Sequence, residues 1–205
     1  MSKTTEDKIL SRIYGNGRGH AFSQGDFADL GTRSTVDSGL HRLEKRGIIR
    51  RVIRGIYDYP RYSELLKQPV APDLDQVARA LARKFAWRIQ PEGATAQNLL
   101  GLSTQVPAHL VYLSDGPNRT YQIGSQSIDF EHTALKEAAF QLPESGLIVQ
   151  ALRAFGEDRI TSKVISRIRE KFPPALRQKI LRDTKTATGW VYAAIQEIAK
   201  DGLRE

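Results

Sequence analysis

Residues 23–58 read SQGDFADLGTRSTVDSGLHRLEKRGIIRRVIRGIYD, and this stretch holds two helix starts followed by a basic hairpin. Ser23 and Asp26 fit the capping pattern in which a serine precedes an acid by three residues. Gly31 predicts a left-handed end for the helix that begins there. The first helix is therefore short, and a second one opens directly after it.

The second helix is predicted from Thr32 to Gly47. Its apolar residues Val36, Leu40 and Leu43 recur three and four residues apart, which makes one narrow buried stripe. The opposite face is polar, and such a helix can lie in a DNA major groove with its N-terminal residues at the base edges. We assign to this DNA-facing surface Arg33, Ser34, Thr35, Ser38, His41, Arg42 and Lys45. Taken alone, the helix favours the interpretation of an ordinary solvated amphipathic helix, and the next segment changes this.

Three arginines follow at once on a run of β-branched residues. Arg50, Arg51 and Arg54 lie within five residues, and Gly55 supplies the turn of a two-stranded hairpin. A helix-turn-helix followed by such a hairpin is a winged helix-turn-helix, whose wing arginines would meet phosphates beside the groove. The alternative is a hairpin with an exposed charged face, but the order of the parts favours DNA binding.

Two segments resemble the AbiEi-type antitoxins. Residues 40–57, LHRLEKRGIIRRVIRGIY, resemble the N-terminal domain of that family, and residues 89–107, IQPEGATAQNLLGLSTQVP, resemble its second domain, as do residues 111–116, VYLSDG. These proteins are winged-helix regulators encoded beside nucleotidyltransferase-like toxins. The resemblance implies a transcriptional autorepressor and antitoxin of a toxin–antitoxin system. Its implied partners are operator DNA, as an inverted repeat, and such a toxin.

The predicted fold class is α+β with two domains. Residues 1–68 are expected to form the winged helix-turn-helix, and residues 69–205 a mixed α+β domain with a small antiparallel sheet and a helical C-terminal part. A short helix is predicted over residues 61–67. On the helix that begins at Asp73 we interpret three basic residues as a solvated face: Arg79, Arg83 and Lys84.

Composition favours a polyanionic partner. The chain has 205 residues, a net charge of +8 and a pI near 9.8, although charge alone does not name the partner. There is no cysteine, which excludes disulfides and thiolate zinc sites. No apolar run approaches the roughly twenty residues of a membrane span. We therefore expect a cytoplasmic protein without membrane contact.

Much of the positive charge lies near the C-terminal end. Residues 159–185 contain nine lysines and arginines against two acids, a net of +7. The candidate toxin- or nucleic-acid-binding residues there are Arg159, Lys163, Arg167, Arg169 and Lys171. They could touch DNA beside the operator, an acidic toxin surface or RNA, or they could be only a solvated surface. A regulator unrelated to a toxin and an RNA-binding protein are thus the alternatives to the antitoxin function.

No motif for catalysis or metal binding is visible. The four histidines, His20, His41, His109 and His132, are scattered and form no metal-binding spacing. No serine lies in a nucleophile-elbow pattern. We therefore expect a protein that is not an enzyme and needs no cofactor or metal.

Overall fold

The computed structural model describes residues 4–103, 107–133 and 140–200 of the chain. They form the mixed α+β structure that the sequence predicts. The chain divides into two compact units, Met1–Trp87 and Arg88–Glu205. The division thus follows Trp87, whereas the expected domain boundary follows residue 68. A helix between these two positions packs on the first unit, as described below.

The first unit contains three α-helices, one 3₁₀ helix and five short strands among its described residues. In chain order these are α1 (Thr5–Asn16), β1 (Ala21–Phe22), the 3₁₀ helix Gln24–Leu30, α2 (Arg33–Lys45), β2 (Arg50–Ile53), β3 (Ile56–Asp58), β4 (Tyr62–Ser63), β5 (Gln68–Pro69) and α3 (Leu74–Phe85). Strands β1, β3 and β2 form one antiparallel sheet in that order.

The 3₁₀ helix stands where the sequence predicts the first short helix. The backbone N–H of Ser23 donates to Asp26 Oδ2 at 2.7 Å, so the expected capping partners do meet. Phe22 and Phe27 pack edge to face, with ring centroids 5.4 Å apart. The expected left-handed end is wrong, because Gly31 has φ 168° and is extended.

Helix α2 matches its predicted bounds. The Thr32 hydroxyl accepts a hydrogen bond from the Thr35 N–H at 3.3 Å, which caps the helix, and Gly47 follows it with φ +68°. The predicted stripe, Val36, Leu40 and Leu43, is fully buried in a core shared with Ile9 and Ile13 of α1. Burial of this stripe fixes which face of α2 remains in solvent.

A hairpin replaces the short helix predicted over residues 61–67. Strands β4 and β5 pair through Tyr62 with Pro69 and Ser63 with Gln68. A helix of seven residues gains little from its own hydrogen bonds. The Ser63 hydroxyl instead accepts the Leu66 N–H at 3.1 Å, and Lys67 takes a left-handed φ of 51°. A backbone N–H of this segment is therefore paired within the turn, without a helix.

Helix α3 belongs to the first unit. It contacts β1, β3 and the 3₁₀ helix, and Asp73 caps it by accepting the N–H groups of Asp75 and Gln76. Its buried residues include Leu74, Val77 and Leu81. The apolar face of α3 is the physical reason why the unit extends to Trp87.

The second unit combines a four-stranded sheet with helices. Its elements are β6 (Ile89–Pro91), α4 (Gly93–Leu99), β7 (His109–Ser114), β8 (Arg119–Ile123), β9 (Gln126–His132), α5 (Pro143–Phe155), the 3₁₀ helix Glu157–Arg159, α6 (Ser162–Lys171), α7 (Pro174–Asp183) and α8 (Gly189–Ala199). The strand order is β6-β7-β9-β8. The outer pairs are antiparallel as predicted, but the central pair, β7 with β9, is parallel. The sheet is therefore mixed.

The helices of the second unit share one apolar core. Ile148, Leu152, Ile168 and Ile195 are among its buried residues. Helix α4 approaches α5 so closely that a Cβ at Gly93 would stand 2.4 Å from the Ala154 Cβ, so the small residues of α4 do permit close packing. None of the described helices is both long enough and apolar enough to cross a bilayer.

Candidate nucleic-acid interface

The polar face of α2 is exposed along its whole length. All seven residues assigned to it from the sequence are exposed: Arg33, Ser34, Thr35, Ser38, His41, Arg42 and Lys45. The opposite face lies against α1, where a Cβ at Gly39 would stand 3.1 Å from Ile9 Cδ1. Because one face of α2 packs closely on α1, the polar face on the other side of α2 is exposed to solvent.

The first turn of α2 presents a cation that is held only loosely. The side chain of Arg33 is 86% exposed, and its Nε lies 3.9 Å from Asp37 Oδ2. An exposed ion pair at this distance contributes little to stability, so Arg33 can reorient toward a ligand at small cost. The Thr35 hydroxyl is 2.8 Å from the Thr32 hydroxyl and belongs to the helix cap.

The last turns of α2 are tied to α1 through one carboxylate. Glu6 accepts hydrogen bonds from Arg42 Nε at 2.5 Å and from Arg46 Nη1 at 2.7 Å. Arg42 is thus an anchor of α2 in this structure as well as an exposed cation. Arg46 was not singled out from the sequence, because its partner lies forty residues away.

The hairpin separates three arginines that the sequence groups together. Arg51 and Arg54 are exposed. Arg50 instead donates to both carboxylate oxygens of Asp58 and, at 2.9 Å, to the Val70 carbonyl. Strand periodicity could have indicated this difference, since Arg50 and Arg51 project to opposite faces of β2. Arg51 and Arg54 are therefore the cations that the hairpin offers to a ligand.

A cleft of about 440 Å³ lies between the start of α2, the hairpin turn and the end of α3. We call it the hairpin cleft, and its charged lining residues are Asp26, Arg33, Asp37, Arg83 and Lys84. Arg83 donates to Asp26 Oδ1 at 2.7 Å and to the Ala21 carbonyl at 2.8 Å. Arg83 and Lys84 are exposed, as predicted for a solvated helix face, but Arg83 also ties α3 to the 3₁₀ helix and β1. Arg79, the third residue of that face, is only partly exposed and pairs with Asp75 at 2.7 Å.

Two pKa shifts accompany this packing. Burial and the nearby Arg54 lower the pKa of Lys84. Burial and the nearby Arg83 lower the pKa of His20, although its hydrogen bond with Gln76 and the negative charge of Asp26 act in the opposite direction. Both shifts have the same cause, which is a cation-forming group held partly out of water beside an arginine.

The comparisons with known proteins give one family. A family model of unknown function, DUF6088, matches residues 8–180. The chain belongs to this family. The DUF6088 match includes most of α1, the polar face of α2, the hairpin and most of the second unit. No curated protein matches the chain.

The DUF6088 chain is also similar to a solved structure. This is the crystal structure of the RV2827C protein from Mycobacterium tuberculosis, with 14% sequence identity and a TM-score of 0.42. The similarity covers 99% of this chain and 84% of that one.

The basic residues near the C-terminus divide into two groups. Arg159 donates to the Phe155 carbonyl at 2.5 Å, Arg169 to the Glu197 carbonyl at 2.5 Å, and Lys171 to the Leu99 carbonyl. These carbonyls lie at or near helix ends, where cations are favourable partners. Lys163 and Arg167 are exposed, four residues apart on α6. Arg159 and Lys171 are exposed too, but their side chains are engaged by carbonyls, so Lys163 and Arg167 are the candidates best placed to meet a partner.

The described residues offer no evident metal site. No three histidine, aspartate or glutamate side chains among them come together in a way that could hold an ion. The residues of the run Asn98–Pro107 that resembles the antitoxin family are described only in part, because positions 104–106 lie outside the described residues.

Proposed function

We propose that this protein binds duplex DNA as a winged helix-turn-helix transcriptional regulator in the cytoplasm. The observation that carries the proposal is the exposed first turn of α2, with Arg33 free to move, followed directly by a hairpin that exposes Arg51 and Arg54. In this arrangement α2 enters the major groove and the hairpin is the wing.

Each element has a distinct task in the proposal. Arg33, Ser34 and Ser38 reach base edges from the first turns of α2, and a guanidinium can read guanine through O6 and N7. Arg51 and Arg54 contact phosphates and fix the position of the helix without reading sequence. Arg50 contributes indirectly, because its bonds to Asp58 hold the two wing strands together.

One such unit covers one half-site. Two copies on an inverted repeat would supply the second half-site, as in other helix-turn-helix regulators. The resemblance to AbiEi-type antitoxins supports the further proposal that the operator lies upstream of the protein's own gene and that a nucleotidyltransferase-like toxin is encoded beside it. A co-expressed neighbouring toxin that stays fully active in the presence of this protein would reject the antitoxin part alone.

DNA binding is tested by selection. The full chain is incubated with a random duplex pool, and the enriched site is titrated against a scrambled duplex, its single strand and a duplex RNA of the same sequence. We expect an enriched inverted repeat that binds at least about 10³-fold more tightly than scrambled duplex. Preferential binding of the single strand or of RNA would reject the proposal and favour RNA binding.

A further inference from the structure

The hairpin cleft has one more cation than it has carboxylates. Arg83 is paired with Asp26 at 2.7 Å, and Arg33 stands 3.9 Å from Asp37. The remaining charged residue of its lining is Lys84. Among the described residues that line the cleft, no third carboxylate is present to neutralise it.

The ammonium of Lys84 rests on the hairpin turn. Its Nζ lies 3.4 Å from the Arg54 carbonyl oxygen. A Cβ at Gly55 would stand only 2.7 Å from this Nζ, so the bare backbone of the turn makes room for the ammonium. The end of α3 is itself fixed by the bonds of Arg83 to Asp26 and to the Ala21 carbonyl. Helix α3 thus presents Lys84 beside the turn that carries Arg54.

The surroundings of Lys84 favour an anion. Arg54 and Lys84 are like charges on adjoining segments, and desolvation together with the charge of Arg54 lowers the pKa of Lys84, although its side chain remains exposed to solvent. An anion bound by Lys84 in the cleft would also lie near the positive charge of Arg54. Beside a wing, the anion that duplex DNA presents is a backbone phosphodiester.

We propose that Lys84 and the hairpin cleft bind a phosphodiester of the DNA backbone, which makes α3 a third element of the interface beside α2 and the hairpin. This inference rests on the proposed function. It adds a contact that lies outside the helix-turn-helix and its wing, thirty residues along the chain from Arg54.

The test compares Lys84→Met with Lys8→Met in the full chain on the selected duplex. Met keeps the unbranched stem and removes the charge. Lys8 is an exposed lysine on α1 that does not line the cleft, so it is the matched control. Removal of one phosphate contact should reduce the log–log salt slope by about 0.9. The affinity advantage of the unsubstituted protein over Lys84→Met should therefore fall by about 3.5-fold between roughly 50 and 200 mM salt.

Lys84→Arg keeps the charge and should keep the slope. If Lys84→Met matches the unsubstituted protein and Lys8→Met in slope, the phosphate contact is overturned. If Lys84→Met and Lys84→Arg both lose affinity with an unchanged slope, Lys84 only positions the turn and the contact is likewise overturned. Failure of the unsubstituted protein to bind duplex DNA would instead reject the proposed function itself.

Discussion

The guanidinium of Arg50 donates two hydrogen bonds to the carboxylate of Asp58, at 3.0 Å from Nε to Oδ1 and 2.5 Å from Nη2 to Oδ2. Asp58 is only 1% exposed, and it faces Arg50 across β2 and β3. The pair therefore joins the strands of the hairpin at the end remote from its turn. Arg50, which the sequence predicts as a DNA contact, is committed to the hairpin itself.

Replacement of Arg50 should destabilise the fold. Arg50→Ala leaves a buried carboxylate without its guanidinium, and since Arg50 is partly exposed we expect a loss of about 2–3 kcal/mol in the free energy of unfolding. Arg51→Ala is the matched control and should stay within about 0.5 kcal/mol. Urea denaturation measures both. Equal effects of the two substitutions would contradict the structural role of Arg50.

Residues 71–87 should be required for the first unit to fold. Leu74, Val77 and Leu81 are buried on α3, and burial of such side chains contributes about 1.5–3 kcal/mol each. Their sum is comparable to the roughly 5–15 kcal/mol that stabilises a typical domain. We expect cooperative thermal unfolding, followed by circular dichroism, for a fragment of residues 1–87 but not for residues 1–70. A cooperative transition of similar midpoint in both fragments would show that α3 is dispensable.

Stability should fall on mild acidification because of His20. Its pKa is lowered in the folded protein, so the unfolded chain binds a proton more readily. The stabilisation is fully present above the ordinary histidine pKa of about 6.5 and is lost as pH falls toward the lowered folded value. Denaturation at about pH 7.5 and about pH 5.5 should show a smaller loss in His20→Gln than in the unsubstituted protein. The same loss in both proteins would assign the pH dependence to other groups.

The basic residues of α6 should differ in how much they contribute to the free energy of unfolding. The double substitution Lys163→Glu with Arg167→Glu alters exposed side chains and should change the unfolding free energy by no more than about 0.5 kcal/mol per site. Arg169→Ala removes a bond to the Glu197 carbonyl and should cost about 1–2 kcal/mol. Chemical denaturation of both variants tests this division, and it fails if the exposed pair is the more damaging change.

The variant Lys163→Glu with Arg167→Glu can also show which partner these two exposed residues bind. Loss of protection against a co-expressed toxin, with operator binding retained, would place Lys163 and Arg167 on the toxin or on RNA. Loss of operator binding with protection retained would place them on DNA. If both activities persist, the pair is only a solvated surface.

Local patterns predicted the parts of the fold that depend on neighbours in sequence. The start of α2 at Thr32, its buried stripe and the glycine after it are all set within a few turns of one helix. The parallel pairing of β7 with β9 and the docking of α3 depend on partners distant in the chain, which periodicity does not identify. The hairpin at residues 62–69 replaced a predicted helix because so short a helix is marginal without tertiary packing, and Leu65 and Leu66 are exposed.

In the candidate interface, too, local patterns predict some features, while others depend on residues distant in the chain. Exposure of Arg33 and Ser38 follows from helix periodicity, and exposure of Arg51 agrees with its position on β2. The engagement of Arg42 by Glu6 and of Arg83 by Asp26 could not be predicted, because each pair joins elements far apart in sequence. Lys84 is interpreted from the sequence as part of a solvated face for the same reason, since only the folded chain brings it to the hairpin turn.

In the proposed complex, α2 reads bases while the hairpin holds the DNA backbone. Arg33→Ala and Arg54→Ala, titrated on the selected duplex and on a scrambled one by fluorescence anisotropy, test it most directly. Arg33→Ala should lose about 1–3 kcal/mol more on the selected duplex than on the scrambled one. Arg54→Ala should weaken both duplexes equally and reduce the salt slope by about 0.9. Equal loss on both duplexes for Arg33→Ala, or no effect of either substitution, would contradict the account.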